Sequence, residues 1–428
     1  MTVYPTYKDS GIEWLGQIPT HWDLLRNKIF ITEHDNVVGQ DAYKYTLLSL
    51  TKQGVIQRDI ESGKGKFPKE FDNYKIVESG NIIFCLFDVD ETPRTVGLSS
   101  IDGMITGAYN VFSIKGINSQ FYYYYFLAVD EAKALRPLYS GLRKVVKTER
   151  FAGLRIPVPP EEEQRQIVAY LDYKSNKINE RICQRERELQ TLSELKQAEI
   201  ATVVTRGLDP NVPMKESGIE WIGQIPAHWE IKYLSQIAEE HYISNKDVHH
   251  QNLLSLSYGR IVRKDINTTE GLLPASFDTY QVIEKGNIIL RLTDLQNDHK
   301  SLRIGLVTEE GIITSAYICI QSRRAVLPEY LYLLLHSYDI CKVFYGMGGG
   351  LRQSLSYADI KRIPIIIPAI SEQVEIIKHI NAKTKNIDIY MESLKKEIEL
   401  LQEYKQRLIS DVVTGKVDVR GVEIPNEE

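Results

Sequence analysis

"SGIEWLGQIPTHW" occupies residues 10–22 and "SGIEWIGQIPAHW" residues 217–229. Two tryptophans, a proline and a histidine thus return at fixed spacing. The repetition does not stop there. "LLSL" at 47–50 returns at 253–256, and "FDNYKIVESGNII" (71–83) as "FDTYQVIEKGNII" (277–289). "RIP" at 155–157 returns at 362–364, "EQ" at 163–164 at 372–373, and "VVT" at 203–205 at 412–414. Offsets drift only between 206 and 209 residues across the chain. So long a period excludes a solenoid and means two full domains.

Each half has one order of parts. The opening string comes first, then short β-like runs such as "NIIFCLF" and "YNVFSI" punctuated by Gly and Asp. A Tyr- or Leu-rich helical stretch follows (121–135 and 329–344), then a glycine turn. A long charged helix closes each half. The first begins after Pro159-Pro160 with acids, as a helix N-terminus prefers, and Ser371 can cap the second. Gly207 and Gly415 mark the ends.

Apolar residues in the second helix recur at Ile376, Ile380, Ile387, Met391, Leu394, Ile398, Leu401, Leu408 and Val412. The first matches at Ile167, Leu171, Ile178, Ile182, Leu189, Leu192 and Val203. Spacings of three and four predict a heptad seam. Lys174 and Lys383 fill a skipped seam position in both copies, as do Lys196 and Lys405. About 45 residues span roughly 65 Å of helix, or some 19 base pairs of B-DNA. Two such helices in a duplicated chain pair most simply antiparallel under a pseudo-two-fold. The expected fold class is therefore α+β: two mixed α/β heads joined by two long antiparallel helices forming a coiled-coil spacer. The divisions read from sequence are a first head (1–159), a central helix (160–206), a second head (207–368), a C-terminal helix (369–414) and a tail (415–428).

Composition sets outer bounds. At 428 residues, 43% hydrophobic and 25% charged, the chain is of ordinary globular type. It lacks an 18-residue apolar run and a signal-type N-terminus, so the cytoplasm is the expected compartment. Four scattered cysteines without CxxC spacing and nine histidines without HExxH suggest no metal. Net charge is −5, yet residues 24–159 hold 18 Lys and Arg against 15 Asp and Glu, and residues 231–368 hold 15 against 14. The acidic excess lies outside the heads, which permits local basic faces. No amino-methylation N/D-P-P-Y/F string, dinucleotide glycine loop or Walker motif is present, so no catalytic or cofactor-binding residue is expected. "GMGGGLR" (346–352) reads as a turn, and Asp88 and Asp90 as solvated loop acids rather than a magnesium site.

Framework strings stay alike while intervening loops differ: 51–70 against 257–276, and 88–97 against 294–305. That contrast fits two heads reading different marks on one ligand. Free drift of surface loops is the blander reading. Candidate DNA-contacting residues are Gln53, Gln57, Arg58 and Arg94 in the first head and Arg260, Arg263, Lys264 and Arg303 in the second. Arg143, Lys144 and Lys147, with Arg352 and Lys361, follow flexible glycines and suit phosphate contact. Trp14, Trp22, Trp221 and Trp229 read as buried anchors, with Pro19 and Pro226 fixing the turn between them. Tyr109, Tyr317 and the Tyr122–Tyr125 run read as core.

These strings, with "RIPVPPEEEQRQIVAYLD" (155–172), resemble the DNA-specificity (S) subunit of Type I restriction–modification systems over nearly the whole chain. In the second half "RIPIIIPAISEQ" (362–373) departs by lacking the double proline and being two residues longer. The resemblance implies a target recognition domain plus spacer helix in each half, each head reading one part of a split double-stranded target. It implies two methyltransferase (M) subunits as partners, with a nuclease/translocase (R) subunit as a further one, and no membrane association. S-adenosylmethionine is then expected on the partner, with no cofactor on this chain. A non-DNA scaffold spacing protein partners is the competing reading.

Overall fold

A computed structural model describes residues 2–58, 71–140, 144–246, 250–265, 276–296, 302–347 and 354–425. The chain divides into two compact units, Met1–Glu186 with Lys396–Glu428, and Arg187–Lys395. Each contains a head and a stretch of both long helices.

Both heads follow one plan. In the first, a four-stranded antiparallel sheet runs in the order Ile31–His34, Asn110–Ile114, Ile82–Phe84, Val96–Leu98. The second repeats it with Ala238–Glu240, Ile318–Ser322, Ile288–Leu290 and Ile304–Leu306. Every ladder between these strands is antiparallel, so the class is α+β. A helix packs on each sheet: Ser119–Glu131, capped by the Asn118 side chain at the amides of Gln120 and Phe121, and Pro328–Ile340, with proline in its first turn. The core fillings differ. Phe84, Phe112 and Phe126 are fully buried in the first head, where Leu290, Ile320 and Leu334 are buried in the second. Hydrophobic volume and pattern suffice to keep one fold through such repacking.

The long helices are Glu161–Arg206 and Ile370–Val413. Ser371 lies inside the second rather than capping it. Within the first unit Asn179 meets Lys405 Nζ (2.8 Å) and Arg181 meets Glu397 (3.2 Å). Within the second, Glu199 meets His379 (3.2 Å) and Lys196 meets Asp388 (2.5 Å). As one residue number rises its partner's falls, so the helices run antiparallel in both units. Ile167, Leu171, Ile178, Ile182, Ile376, Ile380, Leu394 and Leu408 are buried, and Leu189, Leu192, Ile387, Met391, Ile398 and Leu401 half-buried. One expectation is corrected. The skipped seam position is filled by Ser175 and Thr384, both buried, while Lys383 is exposed and Lys174 lies over the Tyr170 and Tyr173 rings. The seam steps by four there, which carries the lysine heads outward.

The opening string is a socket for helix ends. Trp22 is fully buried and donates its indole N–H to Glu163 Oε1 (2.9 Å), while His21 Nε2 lies 2.7 Å from Oε2. Trp229 and His228 hold Glu372 in the same way, at 3.0 and 2.9 Å. The next residue points the other way. Gln164 accepts from the Asn118 amide and donates to Pro159 O, and Gln373 accepts from the Leu327 amide and donates to Pro368 O. Trp14 and Trp221 are corrected: neither is fully buried. Trp14 packs on Tyr125 and Trp221, 39% exposed, lies edge-on to Tyr338.

The socket's proline meets the other helix's end. Gly415 has φ +76°, and a Cβ there would lie 2.3 Å from Pro19 Cδ. Gly415→Ala should therefore destabilise the chain by on the order of 2 kcal/mol. Gly421→Ala, with open space around it, should leave the urea midpoint unmoved.

Candidate nucleic-acid interface

Each head carries a two-stranded hairpin. In the first, Leu48–Thr51 pairs with Gly54–Gln57, and in the second Leu254–Ser257 pairs with Arg260–Arg263. Strand alternation sorts their side chains onto two faces. Leu48, Leu50 and Val55 turn inward in one hairpin, Leu254, Leu256 and Ile261 in the other. The opposite faces carry Ser49, Thr51, Ile56 and Arg58, and Ser255, Ser257, Val262 and Lys264. Hydroxyls, an apolar residue and a cation thus recur at matching register. Hydroxyl and cationic side chains are the usual donors to DNA phosphates and base edges.

This arrangement gathers Gln53, Gln57 and Arg58 in the first head and Arg260, Arg263 and Lys264 in the second. Gln53, Gln57, Arg260 and Lys264 are exposed and Arg58 is half-buried. Arg263 is exposed too, but its guanidinium is held by the Glu309 carboxylate at 2.6–3.0 Å, which keeps that carboxyl below its ordinary range. Arg94 reaches the first hairpin from its divergent loop and donates to the Lys52 carbonyl (3.2 Å). Both line a cleft of about 560 Å³ in the first unit, shared with Tyr123 and Lys405. Burial there, with Arg94 nearby, pushes the Lys405 amine down.

Two acids that line the same cleft, Asp90 and Glu91, hold a further candidate. Lys144 is paired with Glu91 (2.5 Å) and Asp90 (3.6 Å). Asp90 also accepts from the Tyr139 hydroxyl (2.5 Å), which together with the lysine holds its carboxyl below the ordinary range. Among the described residues no three potential ligands gather as a metal site. Lys147 and Lys361 are exposed at the ends of short helices. Arg143 and Arg352 lie outside the described residues, as do residues 348–352 of the glycine turn. Tyr122 is buried in the core, its hydroxyl on Asn27 (2.8 Å), and Tyr109 stacks on Phe87.

Arg303 is corrected outright. Its side chain is fully buried and donates to the carbonyls of Arg291 (3.0 Å), Thr293 (2.8 Å) and Asp294 (3.3 Å), and to the Tyr345 hydroxyl (2.9 Å). The reason is register. The amide of Arg303 donates to Asp339 as that of Thr95 does to Asp130. Arg303 thus corresponds to Thr95, not Arg94, and one step along a strand reverses the face.

Sequence reasoning missed Tyr258, which stands at the tip of the second hairpin with φ +46° and 81% exposed. The "YG" turn between alternating runs is the signal that could have found it. Beneath it, the Tyr332 hydroxyl donates to the Gly259 carbonyl (3.3 Å), and His336 lies on the Tyr332 ring.

Such a chain is a tandem two-headed protein: two related heads, each socketed on an antiparallel helix pair, each offering an outward hairpin with its own tip. The sequence signature of the Type I restriction modification DNA specificity domain matches residues 39–189 and 229–400. The chain belongs to that family, as a specificity subunit of Type I restriction–modification systems. It is 21% identical over 432 residues to the putative type I restriction enzyme MjaX specificity subunit of Methanocaldococcus jannaschii, covering 95% of this chain and 96% of that one. The MjaVIII specificity subunit of the same organism is 24% identical over 64% of each chain. In fold, the chain is similar to one in a solved structure described as "Structural basis underlying complex assembly and conformational transition of the type I R-M system". That likeness has a TM-score of 0.60 at 13% identity and covers 94% of this chain and 99% of that one. Among the described residues no helix is long and apolar enough to cross a membrane.

Two predictions follow from the second head. Arg303→Met removes the donor from three part-buried carbonyls and leaves a void for the guanidinium, and it should lower stability by ~3 kcal/mol, whereas Arg260→Ala should stay within about 0.5 kcal/mol by denaturant titration. Burial, with Lys196 adding to it, pushes the His336 imidazole from 6.5 down to about 4. The folded chain keeps it neutral while the unfolded chain binds a proton below pH 6.5. Stability should therefore fall as pH drops from about 6.5 to 4 and be insensitive above that window. His336→Phe should flatten this part of the profile. An unchanged slope would refute the assignment.

Proposed function

We propose that this chain is the non-catalytic DNA-reading subunit of its complex. Each head reads one part of a split, asymmetric double-stranded target, and the two hairpins are the reading elements. The carrying observation is the matched outward face of those hairpins, hydroxyls and a cation in constant register with unlike tips. A shared face suits phosphate and sugar, which are the same at any sequence, and unlike tips suit unlike bases. Long-helix residues Leu195, Ile389, Tyr390, Leu400 and Tyr404 are exposed. Apolar exposure of this kind marks protein interaction sites, and it supports recruitment of two adenine-N6 methyltransferase subunits, with a nuclease/translocase subunit as a further partner. S-adenosylmethionine would bind the methyltransferase, which would perform the chemistry.

The test is a genome-wide map of N6-methyladenine in the native host with and without this gene. Deletion should erase methylation at one bipartite motif and leave other sites unchanged. Exchanging residues 231–368 for another head should then change one half of the motif only. If the map is unchanged while the gene and its methyltransferase partner are expressed, the reading fails. Indifference to DNA with that partner present would favour a protein-spacing scaffold.

A further inference from the structure

We infer that Tyr258 is a base-stacking residue, inserted by the second hairpin against a base of its half-site. The inference rests on the DNA reading above and deepens it.

The two hairpins align residue for residue at an offset of 206, and their outward faces are nearly interchangeable: Ser49 with Ser255, Thr51 with Ser257, Ile56 with Val262, Arg58 with Lys264. The difference is concentrated at the tip, where Lys52-Gln53-Gly54 faces Tyr258-Gly259-Arg260. At the first tip only Gly54 has positive φ (+107°). In the second, both loop residues do, Tyr258 at +46° and Gly259 at +75°. That is the primed two-residue turn whose first position favours Asn, Asp or Gly. A bulky aromatic in this conformation is a genuine outlier.

The surroundings maintain the turn. A Cβ on Gly259 would lie 3.1 Å from Leu302 Cβ, and its carbonyl accepts from Tyr332. With Gly259 clamped from below, the ring of Tyr258 stands clear of the head. Among the described residues it meets no aromatic or hydrogen-bonding partner. Among the described residues the strain brings no aromatic or hydrogen-bonding contact in return, and by turn propensity alone Asn would be favoured. What the ring does gain is position: it stands beside exposed Arg260, at the head of a face carrying Ser257, Ser255 and Lys264. A rigid aromatic presented by a cationic, hydroxyl-bearing ribbon suits a nucleic-acid base, whose π-face it can cover while the cation meets phosphate. The first head has Gln53 at the matching tip, an amide suited to hydrogen bonding with adenine. The two heads would then discriminate by different chemistry on one frame.

The test uses the full chain co-purified with its methyltransferase subunit, on a duplex carrying the motif from the methylation map. Tyr258→Asn is the decisive variant because Asn fits the turn at least as well as Tyr. It should preserve or raise thermal stability, retain methyltransferase association, and weaken binding about tenfold or more. Tyr258→Phe should rescue binding. The salt dependence should keep its slope, since no charge is lost. A 2-aminopurine walked across the second half-site should change fluorescence at one position with wild type and Tyr258→Phe, and at none with Tyr258→Asn. Wild-type affinity and fluorescence in Tyr258→Asn would overturn stacking while leaving the DNA reading intact. Loss of methyltransferase association instead would make the ring a protein contact and overturn it as well. If the wild-type complex ignores the duplex altogether, the underlying DNA reading fails first.

Discussion

One carboxyl group in each half organises the rest. Glu163 and Glu372 stand in the first turn of a long helix, where the helix dipole favours negative charge. There each accepts from a tryptophan indole and meets a histidine ring. The indole has one donor and is buried, so removing its acceptor would strand it. Three residues before each tryptophan, a proline lies against the αL glycine that ends the other long helix: Pro19 by Gly415, and Pro226 by Gly207. One short string thus grips the start of one helix and the end of the other, which only an antiparallel pair can satisfy. The glutamine after each glutamate carries the constraint onward, because its amide group bonds the start of the head helix. Helix pair, socket and head are therefore fixed to one another within each unit by adjacent residues.

The two sockets are not equally closed. In the first unit Tyr4 donates to Glu163 (2.5 Å), and burial against that carboxyl pushes the phenol well up. Arg420 lies over the Tyr4 ring while pairing with Asp418, and Thr2 bonds the Asp418 carbonyl. In the second unit the Glu372 side chain is 24% exposed, against 5% for Glu163. The shared string sets the geometry, and the layer from residues 2–4 and 418–420 adds depth to one copy.

What was readable in the sequence follows from this. Residues that grip helix ends recur, because each socket has one chemical solution and both copies need it. The duplication, the helices, the seam and the socket strings could therefore be read without coordinates. Position along a strand could not. Arg94 and Arg303 both lie in divergent loops, one of them two residues longer, and nothing in those letters says which residue begins the next strand. The bond from Thr95 or Arg303 to the helix aspartate settles it, and a single step exchanges surface for core. Lys174 and Lys383 failed similarly: a stagger of four places Ser175 and Thr384 inside, where the pattern of apolar residues alone left a gap.

The same reasoning separates where these heads can change from where they cannot. A substitution at Glu372 or Gln373 leaves a buried polar group, the Trp229 indole N–H or the Leu327 amide, without its partner. One at Leu256 or Ile261 disturbs packing that Gly305 admits only because it lacks a side chain, a Cβ there falling 2.5 Å from Leu256. Among the described residues the exposed side chains at the hairpin tips carry no such obligations. Lys52 and Gln53, or Tyr258 and Arg260, project from a frame that is complete without them, so a tip can be replaced while the head still folds and still fits its helices. A protein that must keep one assembly while acquiring new targets would be expected to concentrate its differences there. The strained tyrosine on an otherwise economical turn is what selection for contact, rather than for stability, would leave behind.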